Sequence, residues 1–160
     1  MTENKLTHTD QNGKAHMVDV GSKDETNRVA IAAGEIILSV PTLSLIKENQ
    51  MKKGDVLTVA QVAGILGAKK TSDLIPLCHP LIINGIDVKL EIDESLPGVK
   101  ISAAVNTFGK TGAEMEAMMA VSLAALTVYD MVKAVEHKAR IGNIRLVEKH
   151  GGKSGDIFNE

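Results

Sequence analysis

The sequence predicts an α+β fold of the ferredoxin-like, split βαβ type, in which helices pack on one face of a four-stranded antiparallel sheet. Three observations predict it. The periodic segments follow the order β-α-α-β-β-α-β, in which the two consecutive helices count as one crossover. Two strand-like segments flank the turn sequence DESLPG, which predicts a hairpin. A long apolar segment with helical spacing precedes the last strand.

The first half of the chain supplies one strand and two helices. Residues 28–40 are rich in β-branched side chains and predict the first strand. Pro41 stands where a short helix can begin, because its missing N–H is not needed in a first turn. Thr58 is expected to cap a second helix over residues 59–75, which two internal glycines weaken.

The second half supplies a hairpin, the longest helix and a last strand. Residues 82–92 and 99–108 alternate apolar with polar or small side chains, so they predict the two strands of the hairpin. The longest helix is expected within residues 109–140, where no proline interrupts the pattern. Residues 141–147 predict the last strand.

The longest helix should begin with a capping box, in which Thr111 and Glu114 satisfy each other's backbone N–H groups. Its apolar middle spans about 20 Å at ~1.5 Å per residue, too short for a bilayer, so we expect a core helix. Four alanines at helical spacing form a smooth stripe suited to packing on the sheet: Ala113, Ala117, Ala120 and Ala124.

A second side of this helix combines charged ends with an apolar centre. Glu116 and Asp130 lie near its two ends, about 21 Å apart along the axis. Large apolar residues lie between them on the same side: Met119, Leu123 and Leu126. A solvated face would rarely carry these, so we expect a second chain to cover it, with a site shared between chains.

Composition bounds the class of protein. The 160 residues are expected to form a single domain over 1–160, with flexible segments at about 1–15 and 149–160. A net charge of −2 and only three aromatic residues argue against nucleic-acid and membrane-surface partners. Cys78 is the one cysteine, which excludes an intrachain disulfide. The polar N-terminus contains no signal peptide, so the cytoplasm is the expected location.

Two GK[ST]G strings, at 109–112 and 152–155, invite a nucleotide-binding interpretation. Neither is a Walker A motif, because the required earlier glycine is replaced by Ala104 and Val147. The first string could hold an anion at a helix start, and the second could act as a mobile phosphate-binding segment. The alternatives are a helix cap and an ordinary tail.

Two further features have a functional and an ordinary interpretation. Asp130 and Lys133 are neighbours on one helical face, so they form either a surface ion pair or a partly buried acid–base pair. The segment Leu77, Cys78 and His79 lies between two prolines and is expected to be rigid. It is either a plain turn or a loop that binds a ligand. A metal site lacks the required ligand spacing, and adjacent side chains in an extended loop point apart, which argues against a Cys–His nucleophile pair.

Six segments together resemble the MoaC family of cyclic pyranopterin monophosphate synthases, from about residue 16 to 156. They are HMVDV (16–20), KKGDV (52–56), DLIPLCHPL (73–81), GKTGAEMEA (109–117), ALTVYDMVKA (125–134) and GGKSGD (151–156). The resemblance implies a ferredoxin-like subunit in a hexamer of three dimers, with active sites at subunit interfaces.

The resemblance also implies a reaction. A lyase of this family converts 3',8-cyclo-7,8-dihydroguanosine 5'-triphosphate to cyclic pyranopterin monophosphate, an early step of molybdenum cofactor biosynthesis, and releases pyrophosphate. No cofactor is implied, although Mg²⁺ could accompany the triphosphate. The residue types leave two alternatives. One is a nucleotide-binding regulatory oligomer without turnover, and the other is a pteridine-ring hydrolase, against which the absence of His/Cys zinc ligand spacing counts.

The family motifs place functional residues on this sequence. The residues expected to act in catalysis are Asp130, Lys133 and Lys53. Those expected to contact the substrate are Leu77, Cys78, His79, Met115 and Glu116, with Glu114 beside them. We hypothesise that Asp130 and Lys133 perform acid–base steps and that Lys53 assists from a neighbouring element or chain.

Overall fold

A computed structural model describes residues 14–153 and 155–159 of the chain. Across these residues the chain forms five β-strands and four helices. In chain order these are β1 (Thr26–Ile37), α1 (Val40–Lys47), α2 (Val56–Lys69), α3 (Thr71–Leu74), β2 (Ile83–Asp93), β3 (Gly98–Gly109), α4 (Glu114–Val132), β4 (Arg140–His150) and β5 (Ile157–Phe158).

One antiparallel sheet contains all five strands in the order β2-β3-β1-β4-β5. The first four strands have the split βαβ order, so the predicted fold class is confirmed. The predicted strand count of four is wrong by one, because Ile157 and Phe158 pair with Lys149 and Glu148. A strand of two residues carries no detectable alternation, so the sequence did not reveal it.

The core lies between one face of the sheet and the helices. β1 contributes Ala30, Ala32 and Ile36 to it, all at most 1% exposed. A methyl group built on Gly34 of β1 would lie 2.7 Å from Val121 of α4, so this helix rests directly on the central strand. By length and composition α4 resembles a membrane span, with a mean hydropathy of 1.4. Half of that stretch is buried inside the protein, as expected for a core helix.

Two glycines of α2 allow close contact with α4. A Cβ on Gly64 would lie 2.9 Å from the Ala120 carbonyl oxygen, and one on Gly67 would lie 3.0 Å from Leu123 Cβ. These glycines therefore serve packing, and the alanine stripe faces α2 as well as the sheet. In the apolar sector that we expect a second chain to cover, Leu123 is half-buried and approaches Gly67 of α2, whereas Leu126 is 55% exposed. The covering chain stays a prediction.

Both predicted helix caps differ from the observed ones. The carboxylate of Asp55 caps α2 by accepting hydrogen bonds from the Thr58 N–H and hydroxyl, at 3.0 and 2.6 Å. The expected box at Thr111 does not form, because Glu114 instead pairs with Lys149 of β4 at 2.7 Å. The helix is also shorter than the predicted 109–140, since β3 continues to residue 109.

The two end segments that were expected to be flexible differ in how much of each the structure describes. Residues 1–13 lie outside the described residues. The segment expected to be flexible from about 149 instead contains the end of β4 and the whole of β5. The single-domain organisation and the flexibility of the ends stay predictions.

Candidate functional site

Three of the predicted residues meet at the C-terminal end of α4. Asp130 lies in the last turn of this helix, and the Lys133 ammonium contacts its Oδ1 at 2.7 Å. Lys53, in the turn before α2, contacts Oδ2 at 2.8 Å and donates to the Asp130 carbonyl oxygen at 2.7 Å. One carboxylate is thus held between two amines, and we call this group the Asp130 cluster.

The Asp130 cluster is open to solvent, so of the two interpretations left open by the sequence the structure favours the surface ion pair. Asp130 is 55% exposed, and Lys53 and Lys133 are 41% and 54% exposed. Hydrogen bonds from Lys133 and Lys53 lower the pKa of Asp130 to about 2. The same hydrogen bond and charge of Asp130 raise the pKa of Lys133. Near neutral pH Asp130 is therefore ionised and Lys133 is charged, and their contact makes Asp130 a weaker base and Lys133 a weaker acid than either would be alone.

Lys53 belongs to the same chain as Asp130. The hypothesis left open whether it came from a neighbouring element or from another chain. The packing of α2 against α4 brings it in, across 77 positions of sequence. The left-handed backbone of the following Gly54, with φ of 93°, allows the turn in which Lys53 lies.

The predicted substrate contacts gather at the other end of α4. Leu77, Cys78 and His79, from the segment between α3 and β2, border a cavity of about 430 Å³. Glu114 and Met115 of the first turn of α4 form another part of its wall. The remaining lining residues are Val18, Val20, Lys23, Thr111 and Gly112. Five of the six predicted contact residues therefore share one cavity, which we call the α4 N-terminal cavity, while their roles stay a prediction.

Glu116, the sixth predicted contact, is buried and only 2% exposed. Within the part of the chain that the structure describes, its Oε2 has no hydrogen-bond partner. Burial raises the pKa of Glu116 to about 6, and the nearby charge of Glu114 adds to the shift. Burial, Glu116 and Glu114 in turn raise the pKa of the Cys78 thiol. Cys78 is therefore a neutral thiol, which agrees with the exclusion of a cysteine nucleophile.

A second cavity, of about 450 Å³, adjoins the first through Lys23 and is lined by more basic than acidic side chains. The basic residues Lys23, Arg28 and Lys153 border it together with one acidic residue, Asp24, and the backbone of Gly151 and Gly152. We call it the cationic cavity. The sequence suggested the segment that contains Lys153 as a phosphate ligand, but it did not reveal Lys23 or Arg28. The two sides of the cavity are 125 positions apart in the sequence, and a hydrogen bond from the Thr26 hydroxyl to the Gly151 carbonyl oxygen joins them.

The GK[ST]G strings have different surroundings. In the first string the Lys110 ammonium donates to the Gly21 carbonyl oxygen at 2.6 Å, and Thr111 and Gly112 line the α4 N-terminal cavity. The second string contains Ser154, which lies outside the described residues, while Gly152 and Lys153 line the cationic cavity.

The two predicted groups lie at opposite ends of one helix. Residues 116 and 130 are separated by about 21 Å along α4. A single compact ligand would not bridge that distance on one chain. Among residues 14–153 and 155–159, no group of three or more His, Cys, Asp or Glu side chains could hold a metal ion.

Comparison with known proteins identifies the family. The MoaC family model matches residues 17–152. Proteins named cyclic pyranopterin monophosphate synthase from Brucella ovis and Brucella abortus (strain 2308) are 56% identical over 152 residues, and one from Brucella canis is 55% identical. Each alignment covers 95% of this chain and 92% of the relative. The chain therefore belongs to the MoaC family.

Proposed function

We propose that this chain is a cyclic pyranopterin monophosphate synthase. It would convert 3',8-cyclo-7,8-dihydroguanosine 5'-triphosphate to cyclic pyranopterin monophosphate and pyrophosphate, as a lyase of molybdenum cofactor biosynthesis. The name of its relatives supports this over nearly the full length of both chains. The observation that carries the proposal is the Asp130 cluster, because one carboxylate between two amines suits a reaction built on proton transfers.

The Asp130 cluster would act in the ring steps and in phosphate closure. The aminal ring opens and the pterin ring closes by proton transfers, for which Asp130 accepts and Lys133 donates. In closure a sugar hydroxyl oxygen bonds to the α-phosphorus while the bond from that phosphorus to the bridging oxygen breaks. The hydroxyl proton passes to a base, and pyrophosphate leaves with the bond electrons. Lys53 and Lys133 offset the charge that develops on the phosphates.

The two cavities would hold the rest of the substrate. The ring system fits the α4 N-terminal cavity. Glu116 does not line that cavity but is buried beside it in the first turn of α4, and its pKa is raised to about 6, near the working range of a proton donor. The phosphates fit the cationic cavity, where Arg28 offers a planar set of donors. Magnesium would arrive with the triphosphate as part of the substrate.

The separation of the two groups supports a shared site. We propose a homo-oligomer, a hexamer built as a trimer of dimers, in the cytoplasm. In it the Asp130 cluster of one chain faces the α4 N-terminal cavity of another. Each α4 would then serve two sites, one at each end.

Asp130→Asn tests the assignment, because it keeps the size of the side chain and removes the charged acceptor. We expect pyrophosphate release to fall about 10²- to 10⁴-fold, the usual contribution of a general base, with substrate binding measured separately. The matched control is Asp87→Asn, which removes an exposed partner of Lys89 on β2. Turnover within a few-fold of the parent would refute the role of Asp130. A parent that binds the substrate without releasing pyrophosphate would favour the regulatory alternative.

A further inference from the structure

Strand β5 is held to the sheet by few backbone contacts. It pairs only Ile157 and Phe158 with β4. Just beyond it, the Asn159 N–H donates to the Val147 carbonyl oxygen at 2.9 Å, and its side-chain amide donates to Leu146 at 3.0 Å. A ladder this short is marginal by itself, so side chains must contribute to its attachment.

His150, at the end of β4, makes such side-chain contacts. Its Nε2 lies 3.1 Å from a Glu148 carboxylate oxygen, and its Nδ1 lies 3.1 Å from an Asp156 carboxylate oxygen. The Phe158 ring of β5 meets the imidazole edge-on, with 5.3 Å between ring centroids. We call His150, Glu148 and Asp156 the histidine clasp.

The contacts of the clasp require a particular protonation state. An ionised carboxylate only accepts hydrogen bonds, whereas a neutral imidazole carries one N–H and can donate only once. Both ring nitrogens of His150 face a carboxylate oxygen at hydrogen-bond distance. The geometry is therefore satisfied in full only by an imidazolium, which donates from both nitrogens.

We propose that His150 is a positioning residue whose imidazolium holds Asp156, and with it β5, against β4, and that loss of its proton loosens this attachment. The clasp also reaches the cationic cavity. The Asp156 carboxylate accepts from the Gly151 N–H at 3.3 Å, and the Thr26 hydroxyl donates to the Gly151 carbonyl oxygen at 2.8 Å. Gly151 has φ of 79°, in the left-handed region that favours glycine, and these two hydrogen bonds engage both its N–H and its carbonyl group.

The charges around His150 come from several elements. Asp156 and Glu148 raise its pKa, Asp156 having the larger effect, and His150 in turn lowers the pKa of Asp156. Burial acts in the opposite direction and lowers the pKa of His150. Two positive groups, Lys149 on β4 and Arg28 on β1, border the same small cavity as His150. The Lys149 ammonium is engaged by Glu114 of α4.

The sign of the pH dependence follows from these shifts. The pKa of His150 is higher with β5 attached than with it released, because release removes the Asp156 charge. The clasp therefore contributes fully at pH values below the pKa that His150 has once β5 is released. Its contribution is lost as pH rises through the raised pKa of the attached state.

Two measurements on the full chain test the clasp together. An NMR titration gives the pKa of His150, and amide hydrogen exchange gives the protection of the Asn159 N–H, corrected for the intrinsic rate. Between about pH 6 and pH 9 we expect protection to fall tenfold for each unit by which attachment raises the pKa. Protection that stays constant in the parent, or a His150 pKa at or below its ordinary value, would overturn the proposal.

Four variants separate the charge of the clasp from its packing. In His150→Gln, which cannot be charged, we expect low protection at both pH values. In His150→Lys, which stays charged, we expect high protection at both. Asp156→Asn should lower the His150 pKa, and His137→Gln, at an exposed histidine outside the clasp, should behave as the parent does. A parent-like His150→Gln, or a His150→Lys as weak as it, would contradict the role of the charge.

The effect on ligand binding rests on the proposed function and is tested apart from it. With inorganic triphosphate as probe, we expect the Kd to rise between about pH 6 and pH 9 by a larger factor in the parent than in His150→Lys. Equal factors would mean that the clasp does not shape the cationic cavity. Failure of the proposed synthase activity would leave the exchange result unchanged, so the two outcomes are distinguishable.

Discussion

The separation of the two groups along α4 predicts complementation between inactive variants. Lys133 belongs to the Asp130 cluster and His79 lines the α4 N-terminal cavity, at the opposite end of the helix. If each site takes its cluster from one chain and its cavity from another, Lys133→Ala and His79→Ala damage different halves of it. Each variant alone is expected to be inactive, because every site then lacks one half.

The size of the recovery follows from counting. In a one-to-one mixed oligomer, about half of the clusters carry an intact Lys133 and about half of the cavities carry an intact His79. A site is intact when both conditions hold, so about one quarter of the sites recover. Activity should therefore return to about 25% of the parent value. A site contained in one chain would give no recovery, because no chain has both residues.

The assay is pyrophosphate release by the two variants co-expressed with different tags and purified through both. The matched control is Lys53→Ala with Asp130→Ala, whose side chains touch within one chain at 2.8 Å. That pair should stay inactive when mixed, because no chain carries an intact cluster. No recovery in the test pair would refute the shared-site reasoning, and recovery in the control would show that Lys53 and Asp130 come from different chains in the active site.

Two stability predictions follow from the packing. Gly64→Val inserts a side chain where a Cβ alone would lie 2.9 Å from the Ala120 carbonyl oxygen, so urea unfolding should show a loss of about 1–3 kcal/mol. Gly142→Val, where a Cβ meets nothing within 4 Å, should change stability by about 0.5 kcal/mol or less, and equal losses would contradict the close helix contact. Burial raises the pKa of Glu116 from 4.5 to about 6, so the unfolded chain releases this proton first and stability falls as pH rises between the two values. Glu116→Gln should therefore gain about 2 kcal/mol relative to the parent between about pH 4 and pH 8, and a constant difference would contradict it.

The sequence was most informative where structure is local. The hairpin turn is an example, because the Asp93 carboxylate accepts from the Ser95 and Leu96 N–H groups within a few residues, at 2.8 and 3.2 Å. The predicted N-cap of α2, Thr58, lies three positions after the observed one, Asp55. Both residue types are good N-caps, so the sequence alone did not decide at which of them the helix begins.

The sequence was least informative where distant elements meet. Gly64 and Gly67 weaken an isolated helix, and the reason for glycine at both positions is the close approach of α4, which leaves no room for a side chain. Lys23 and Arg28 have no motif of their own and became candidates through the cavity that they border. The clasp of His150 escaped detection as well, since it depends on the return of β5 to the sheet.

The sequence by itself determined the fold class and the placement of charged groups at both ends of α4. Both depend on the repeat and rise of regular structure, which are properties of neighbouring residues. Only the tertiary structure decided that Lys53 completes the Asp130 cluster within one chain, and that Glu116 is buried while Asp130 is open to solvent. The physical reason is that burial and ion pairing depend on which surfaces meet, and here the packing of α2 against α4 sets that contact.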